Sequence, residues 1–534
     1  MLKNTITLLE FSMTEGRRYI IAVAAVFVIA IGAYYFYQQD NVYTEVKPVQ
    51  CIDTTSPFLK ELSSKMSQLS AQGGNGADNV KNQLEEILGQ INGKLIELKS
   101  SQKEEHSREE PQEEHLTKRE LEGLELNRFD IQKLPQPDSS DMNDKWIVVT
   151  SIFAPTEDIK KLAKIPGWKL VVVGDKKTPK NWRLDGVVFL SVKDQWKLGF
   201  ETVKYLKYGV YQRKNIGFLY AIQHGAKYIY DTDDDNHPYG GEVTFDDMTV
   251  DKEYLMYDGN QHFYNGFAHF GQSTLWPRGY PLNMIDKKPV RTYKKCKSVR
   301  PLVQQGVVDG DPDLDAIQRL TRKDNEAKFV VYFDKDAPPV VLPPNSFVPY
   351  NSQNTFHHYD AFFALLLPQT VTFRVNDIWR SFITQRLLWD IGGHLAYFPP
   401  NAYQDRTPHD FLKDFYEEDD LYKNTNPLTK LLLNWRGKTK ADMFDRHYDI
   451  LKEMYKADII GARDVRLGRA WVRDLLRIGY KPPALKESTA VCAEKQTTFI
   501  PKEMPSLFLR IGQKTVNVVK EAKKLPLTKE RERD

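Results

Sequence analysis

Tyr228-Ile229-Tyr230 runs directly into Asp231, Asp233, Asp234 and Asp235, and Asn236, His237 and Pro238 close the turn. Carboxylate oxygens are hard donors suited to Mg2+ or Mn2+, and a cation held this way can in turn hold a diphosphate. The ligand this chemistry implies is a nucleotide sugar. Asp231 would hold the ribose, Asp233 the cation bridging the diphosphate, and Asp235 would be a second ligand or would orient the first. A solvated acidic turn, or one that binds Ca2+, is the plainer alternative for the same residues.

An apolar run that stops at clustered carboxylates reads as the carboxyl end of a buried strand, where open α/β sheets bind ligands. Just upstream, Arg213-Lys214-Asn215-Ile216-Gly217 opens a short helix through Phe218, Leu219, Ala221 and Ile222. Gly225-Ala226 ends it, as a left-handed glycine commonly does. A basic residue, Asn and Gly opening a helix beside an acidic strand is the order found in GT-A glycosyltransferases. Arg213, Lys214 and Asn215 are therefore candidate nucleotide-sugar contacts, the first two adding positive charge to the leaving diphosphate.

Three further strands precede this unit: Trp146 to Ser151, Trp168 to Val173 and Gly186 to Ser191. Continuous apolar strands alternating with helices predict a parallel arrangement covered on both faces. Thr150, Ser151 and Asp175 then fall at strand ends, where a base and ribose would lie. No glycine-rich phosphate loop accompanies them. Beyond the acidic turn the chain is rich in Gly, Pro and aromatics. Arg278 in Trp276-Pro277-Arg278-Gly279 is a candidate phosphate or acceptor contact. Val375-Asn376-Asp377 opens another helix, with Asn376 or Asp377 as N-cap. Asp377 is a candidate base for an acceptor hydroxyl if the anomeric carbon inverts. Gly392-Gly393 ends that helix, Tyr397 to Pro400 predicts a strand, and residues 409 to 480 read as helical. Trp435, Tyr448, Leu451 and Tyr455 are among the expected core positions there.

Across 534 residues the net charge is only +3, which gives no argument for nucleic acid. Tyr19 to Tyr37 is uncharged and apolar, long enough as helix for roughly 28 Å of bilayer. Arg17 and Arg18 precede it and Asp40 follows, predicting a cytosolic N-terminus and a lumenal remainder; a cleaved signal peptide is the rival. The division expected is a tail at 1–18, a signal anchor at 19–37, a stem at 38–144, a catalytic domain at 145–400, its helical part at 401–485, and a tail at 486–534. Leu84, Ile87, Ile91 and Leu98 put a short apolar stripe in the stem. Cys51, Cys296 and Cys492 allow one disulfide with a spare, or three free thiols.

Several blocks together resemble the STELLO family of Golgi glycosyltransferase-like proteins. They are Arg213 through Asp235, Ala268 to Ser273 with Trp276 to Gly279, Gly310 to Asp313, Asp377 to Arg380, and Gln385 to Trp389. The acidic strand, Arg278 to Pro281 and Asp377 to Trp379 are more distantly similar to the reversibly glycosylated polypeptides, which act on UDP-arabinose. The resemblance spans roughly residues 145 to 480. It implies a single-pass type II Golgi membrane protein with a lumenal GT-A-type, Rossmann-like mixed sheet flanked by helices. The implied activity is Mn2+- or Mg2+-dependent transfer from a nucleotide sugar, a UDP-sugar by preference, to a glycan or protein acceptor. A degenerate domain kept as a Golgi scaffold stays open, because the plant family is tied to cellulose synthase assembly; self-association or Golgi protein partners would then matter. A phosphatase with a phospho-aspartate intermediate fits less well, since Asp235 stands where its Thr would be.

Overall fold

The computed structural model describes residues 115–510, apart from 127, 129–130, 323–326, 405–409, 439 and 505. The expected anchor at 19–37, the apolar stripe, most of the stem and Cys51 lie outside the described residues. Among the described residues no helix is long and apolar enough to cross a membrane.

Strands β1 (Lys145–Thr150), β2 (Lys169–Val173), β3 (Val187–Leu190) and β4 (Tyr228–Thr232) lie side by side in the order β3-β2-β1-β4, all parallel. Ile147, Val149, Leu170 and Val172 face one apolar cluster, whereas Trp146, Val148, Val171 and Val173 face another. Both faces are covered, which is why these strands read as unbroken apolar runs. Helix α1 (Glu157–Leu162) covers the first face through Ile159 and Leu162. Helix α2 (Val192–Lys197) follows β3, and α3 (Lys214–Gln223) lies against β1 and β2 on the second face. A Cβ at Gly217 would sit 2.6 Å from Val148 Cγ1 and 2.8 Å from Val173 Cγ2, so only glycine lets α3 approach this closely. Gly225, at φ 86°, ends the helix in the left-handed region, as the sequence predicts.

Downstream come β5 (Asn236–Pro238), β6 (Tyr254–Tyr257), β7 (Thr292–Lys297), β8 (Pro301–Gly310), β9 (Ala327–Val331), β10 (Val340–Val341), β11 (Asn354–His358), β12 (His394–Gln404) and β13 (Val491–Cys492). The sheet runs β13-β7-β6-β10-β12-β8-β11-β4-β1-β2-β3. Strand β11 is antiparallel to both β4 and β8, so the sheet is mixed. Helix α4 (Asn376–Leu388) is buried along its whole length, and α5 (Phe411–Glu417), α6 (Asp419–Asn434), α7 (Met443–Lys456) and α8 (Ala462–Arg477) complete the helical part. Trp435, Tyr448 and Leu451 are buried as expected, and Tyr455 packs partly buried against them.

Two boundaries differ from the sequence reading. The folded body starts well before residue 145: Leu121 packs on Tyr448 and Val465, Arg128 pairs with Asp442 and Asp445 at 2.6 Å each, and the Leu134 N–H donates to the Arg477 carbonyl at 3.0 Å. The few apolar residues here are spaced among charges, so composition alone hides their docking. Nor are residues 486–504 a free tail. Strand β13 pairs with β7, where a Cys296–Cys492 disulfide joins them, and the Met504 N–H donates to the Gly271 carbonyl at 2.8 Å.

Candidate active site

Strand β4 ends at Thr232, and the next three residues turn beside the end of β1, where Asp234 meets Ser151 and Thr156. The resulting cleft, about 340 Å³, is lined there by Thr150, Ser151, Gly174, Asp175, Asp233, Asp234 and Asp235. Tyr211, Arg213, Arg278, Asp313, Arg374 and Asp377 line it as well, with Gln353 and Gln404 beside the carboxylates. A space of this size suits a small-molecule ligand. Eight of the candidates named from sequence line it: Thr150, Ser151, Asp175, Arg213, Asp233, Asp235, Arg278 and Asp377.

The acidic turn is electrostatically crowded. Burial foremost, then the carboxylates of Asp235, Asp231 and Asp234, pushes Asp233 up to about 7 against the pull of Lys214. Its side chain nonetheless keeps 39 % of its exposure and lines the cleft. Asp234 is pushed up to about 6, mainly by burial, while its Oδ2 accepts the Ser151 hydroxyl at 2.6 Å. Asp235 Oδ1 accepts from Gln404 Nε2 at 2.8 Å, which fixes that carboxylate within the cleft lining.

Three candidates lie beneath the cleft rather than in it. Asp231 is fully buried, with Oδ1 held by Lys214 Nζ at 2.8 Å and Oδ2 by Arg380 Nη1 at 2.9 Å. Burial pushes its pKa up, but these two cations outweigh burial and hold it below the ordinary carboxylate range. It therefore pins β4 to α3 and α4 and does not reach a ribose. Lys214 is also fully buried and donates to Asp231 and the Thr232 carbonyl, both at 2.8 Å, with Asp233 Oδ1 at 3.4 Å. Its charge steadies the turn from below. Asn215 exchanges a reciprocal pair of hydrogen bonds with the Leu367 backbone, each 2.9 Å, and is a structural tie.

Arg278 and Asp377 line the cleft, but each is saturated by protein. All five guanidinium N–H groups of Arg278 are engaged: Nε and Nη2 on Asp313, Nη1 and Nη2 on Asp377, and Nη1 on the Arg374 carbonyl. Asp377 in turn accepts two bonds from Arg278, one from the Ile378 N–H at 3.0 Å and one from the Ser352 N–H at 3.3 Å. Four donors meet the roughly four lone-pair sites of a carboxylate, so a substrate hydroxyl would have to displace one of them. In this geometry the base role expected of Asp377 and the phosphate contact expected of Arg278 would each require a protein hydrogen bond to be given up. Neither Asn376 nor Asp377 is the N-cap of α4; that place falls to Val375, and Asn376 Oδ1 accepts the Tyr211 hydroxyl at 2.5 Å.

Asp313 and Arg374 were missed as site residues, although Asp313 closes one of the family-like blocks. Arg374 pairs with Glu418 at 2.5 Å and approaches Asp313 at 3.8 Å, extending the charge network under the cleft. Tyr211, Asn351, Gln353 and Gln404 were missed as well; their polar side chains carry no local pattern to set them apart.

Among the described residues, no group of three or more His, Cys, Asp or Glu side chains is arranged to hold a metal by itself. The donor set still fits a divalent cation that shares its coordination with a ligand. Mg2+-type ions are commonly held by one or two carboxylates plus substrate phosphates, with water completing the shell. Asp233 and Asp235 supply two such carboxylates, and the raised pKa of Asp233 marks negative charge that a cation would offset.

A mixed sheet flanked by helices, with cleft-lining carboxylates just past the end of β4, fits a GT-A-like fold. Comparison with known proteins agrees at the level of family. The model of the STELLO glycosyltransferases matches residues 374–498. The chain is 36 % identical over 395 residues to the "Probable glycosyltransferase STELLO1" of Arabidopsis thaliana, and 35 % identical over 395 residues to its "Probable glycosyltransferase STELLO2". Each alignment takes in 71 % of this chain and 51 % of the relative, so the chain spans about half the length of the curated relatives it matches. The chain is STELLO-like, and the family it resembles is one of glycosyltransferases.

Proposed function

We propose that this protein transfers a glycosyl group from a nucleotide sugar, a UDP-sugar, to a glycan or protein acceptor. The observation that carries the reading is Asp233: a crowded carboxylate of raised pKa just past the end of β4, lining a cleft of about 340 Å³. Asp233 and Asp235 would hold Mn2+ or Mg2+, which when bound supplies positive charge to the departing diphosphate. Lys214, fixed beneath the turn, keeps the carboxylates from repelling one another out of place. Ser151 orients Asp234, and Gln404 orients Asp235. Thr150, Ser151 and Asp175, on the tips of β1 and β2, extend the site away from the carboxylates, where the nucleoside would lie.

The Arg278–Asp313–Asp377 network lines the same cleft and fixes part of its shape. Residues 19–37 would anchor the protein in the Golgi membrane as a single-pass type II span, with the folded part lumenal. The Cys296–Cys492 disulfide supports an oxidising compartment of this kind. The test is calorimetry of the purified protein with UDP in the presence and absence of Mn2+. Cation-dependent binding that is lost in Asp233→Ala, with the thermal melt retained, is the expected outcome. A protein that binds no nucleoside diphosphate with Mn2+ would be a scaffold with a vestigial cleft.

A further inference from the structure

Arg213 lines the cleft but is bonded only to neutral groups. Its Nε and Nη2 donate to Gln195 Oε1 at 2.9 and 2.6 Å, and Nη1 to the Lys207 carbonyl at 3.2 Å. No carboxylate pairs with it at salt-bridge distance among the described residues. The nearest acidic influence is Asp175, whose Oδ2 accepts the Gly209 N–H at 2.7 Å and whose Oδ1 accepts the Lys176 N–H at 2.6 Å. Only 1 % of Arg213 is exposed, and burial holds its pKa below the ordinary guanidinium range. Three of its five N–H groups are engaged, leaving one on each Nη. The Tyr208 ring lies 4.7 Å from its Cζ and fixes the guanidinium plane, while Gln195 Nε2 donates to the Gly174 and Leu190 carbonyls and fixes the other side.

Its place in the sheet decides which part of a ligand it meets. Gln195 ties Arg213 to Gly174, at the tip of β2, and β2 is two strands from β4 in the order β4-β1-β2. At about 4.8 Å per strand, Arg213 stands roughly 10 Å from the Asp233 turn. That is too far to share the diphosphate with a cation at Asp233, as the sequence reading had it. It is the distance at which a nucleoside laid across β1 presents its base. A guanidinium has donors and no acceptor, so it pairs with base edges that offer carbonyl oxygens and opposes those that offer an amino group.

We infer that Arg213 selects the base of the nucleotide, taking a keto edge such as that of uracil and rejecting the amino edge of cytosine. This rests on the reading of the cleft as a nucleotide-sugar site. UDP and CDP are the clean probes, because they match in size, ribose and diphosphate and differ at the edge of the ring. Binding of each is measured by calorimetry on the purified protein with Mn2+, for the wild type and for Arg213→Gln, whose amide offers both a donor and an acceptor. Thermal melts check that the variant folds, and Arg213→Lys, which keeps the buried charge and loses the fork, is measured alongside.

The expected result is a UDP preference of about tenfold or more in the wild type, collapsing to within about threefold in Arg213→Gln and falling between in Arg213→Lys. A merely structural Arg213 would weaken both ligands together and leave their ratio unchanged, which overturns the inference. Equal affinity for UDP and CDP in the wild type overturns it too, whatever the variants do, yet leaves the nucleotide site standing. Failure of both diphosphates to bind removes the site and the inference with it.

Discussion

Cation affinity at the Asp233 turn should depend steeply on pH. Asp233 is held at about 7 by burial and neighbouring carboxylates, and a cation needs its deprotonated form. Between pH 8 and pH 6 the protonated fraction of a group at that pKa rises from about a tenth to about nine-tenths, which weakens apparent cation affinity about tenfold. The sign for stability is opposite. With no cation bound, the folded protein holds a proton that the unfolded chain has released above its ordinary carboxylate pKa. Metal-free stability therefore falls as pH rises from about 4 to about 7. The assay is Mn2+ titration in the presence of a UDP-sugar, whose diphosphate diester does not titrate near neutrality. Buffers of different ionisation enthalpy would count the protons released. Release of about one proton at pH 6, absent in Asp233→Asn, is expected. An affinity that is flat from pH 6 to 8, or a pH slope that survives in Asp233→Asn, would refute the crowded-carboxylate argument.

Asp231→Asn removes the partner of two buried cations, Lys214 and Arg380; a loss of about 3–5 kcal/mol is expected, read as a lower denaturation midpoint, and an unchanged midpoint would contradict the pin assigned to it. Asp377→Asn separates positioning from base catalysis: a positioning role predicts a lower melting temperature and a rate loss rescued in part by stabilising conditions. A base would instead give a fall in kcat of about a hundredfold or more with the melt intact.

Much of the domain was legible because its signals are local. Strands β1 to β4 announce themselves as apolar runs buried on both faces, and Gly225 marks the end of α3 by the backbone it must adopt. The acidic turn was legible for the same reason: an apolar strand has few ways to end in four carboxylates. The placement of β11 antiparallel to both β4 and β8 was not readable, since nothing local in Asn354–His358 says which neighbours it will take. The docking of Leu121 and of β13 was hidden likewise, because each rests on a handful of long-range contacts within polar stretches.

What sequence could not separate was chemistry facing the ligand from chemistry facing the protein. Asp231, Lys214 and Asn215 stand within the same short unit as Asp233 and Arg213, with side chains equally suited to bind a nucleotide. The difference is valence left over after folding. Asp231 has a cation on each oxygen, Asn215 is closed by Leu367, and Arg278 and Asp377 complete one another. Asp233 retains an exposed, destabilised carboxylate, and Arg213 retains donors with no anion beside them. One end of the cleft is thus short of positive charge and the other short of acceptors, and a nucleotide diphosphate with its cation supplies both: charge at β4 and carbonyl oxygens at β2. A ligand lacking either end would leave the Asp233 carboxylate without its cation or the buried Arg213 without acceptors for its remaining donors, which is the physical basis for expecting the two ends to be occupied together.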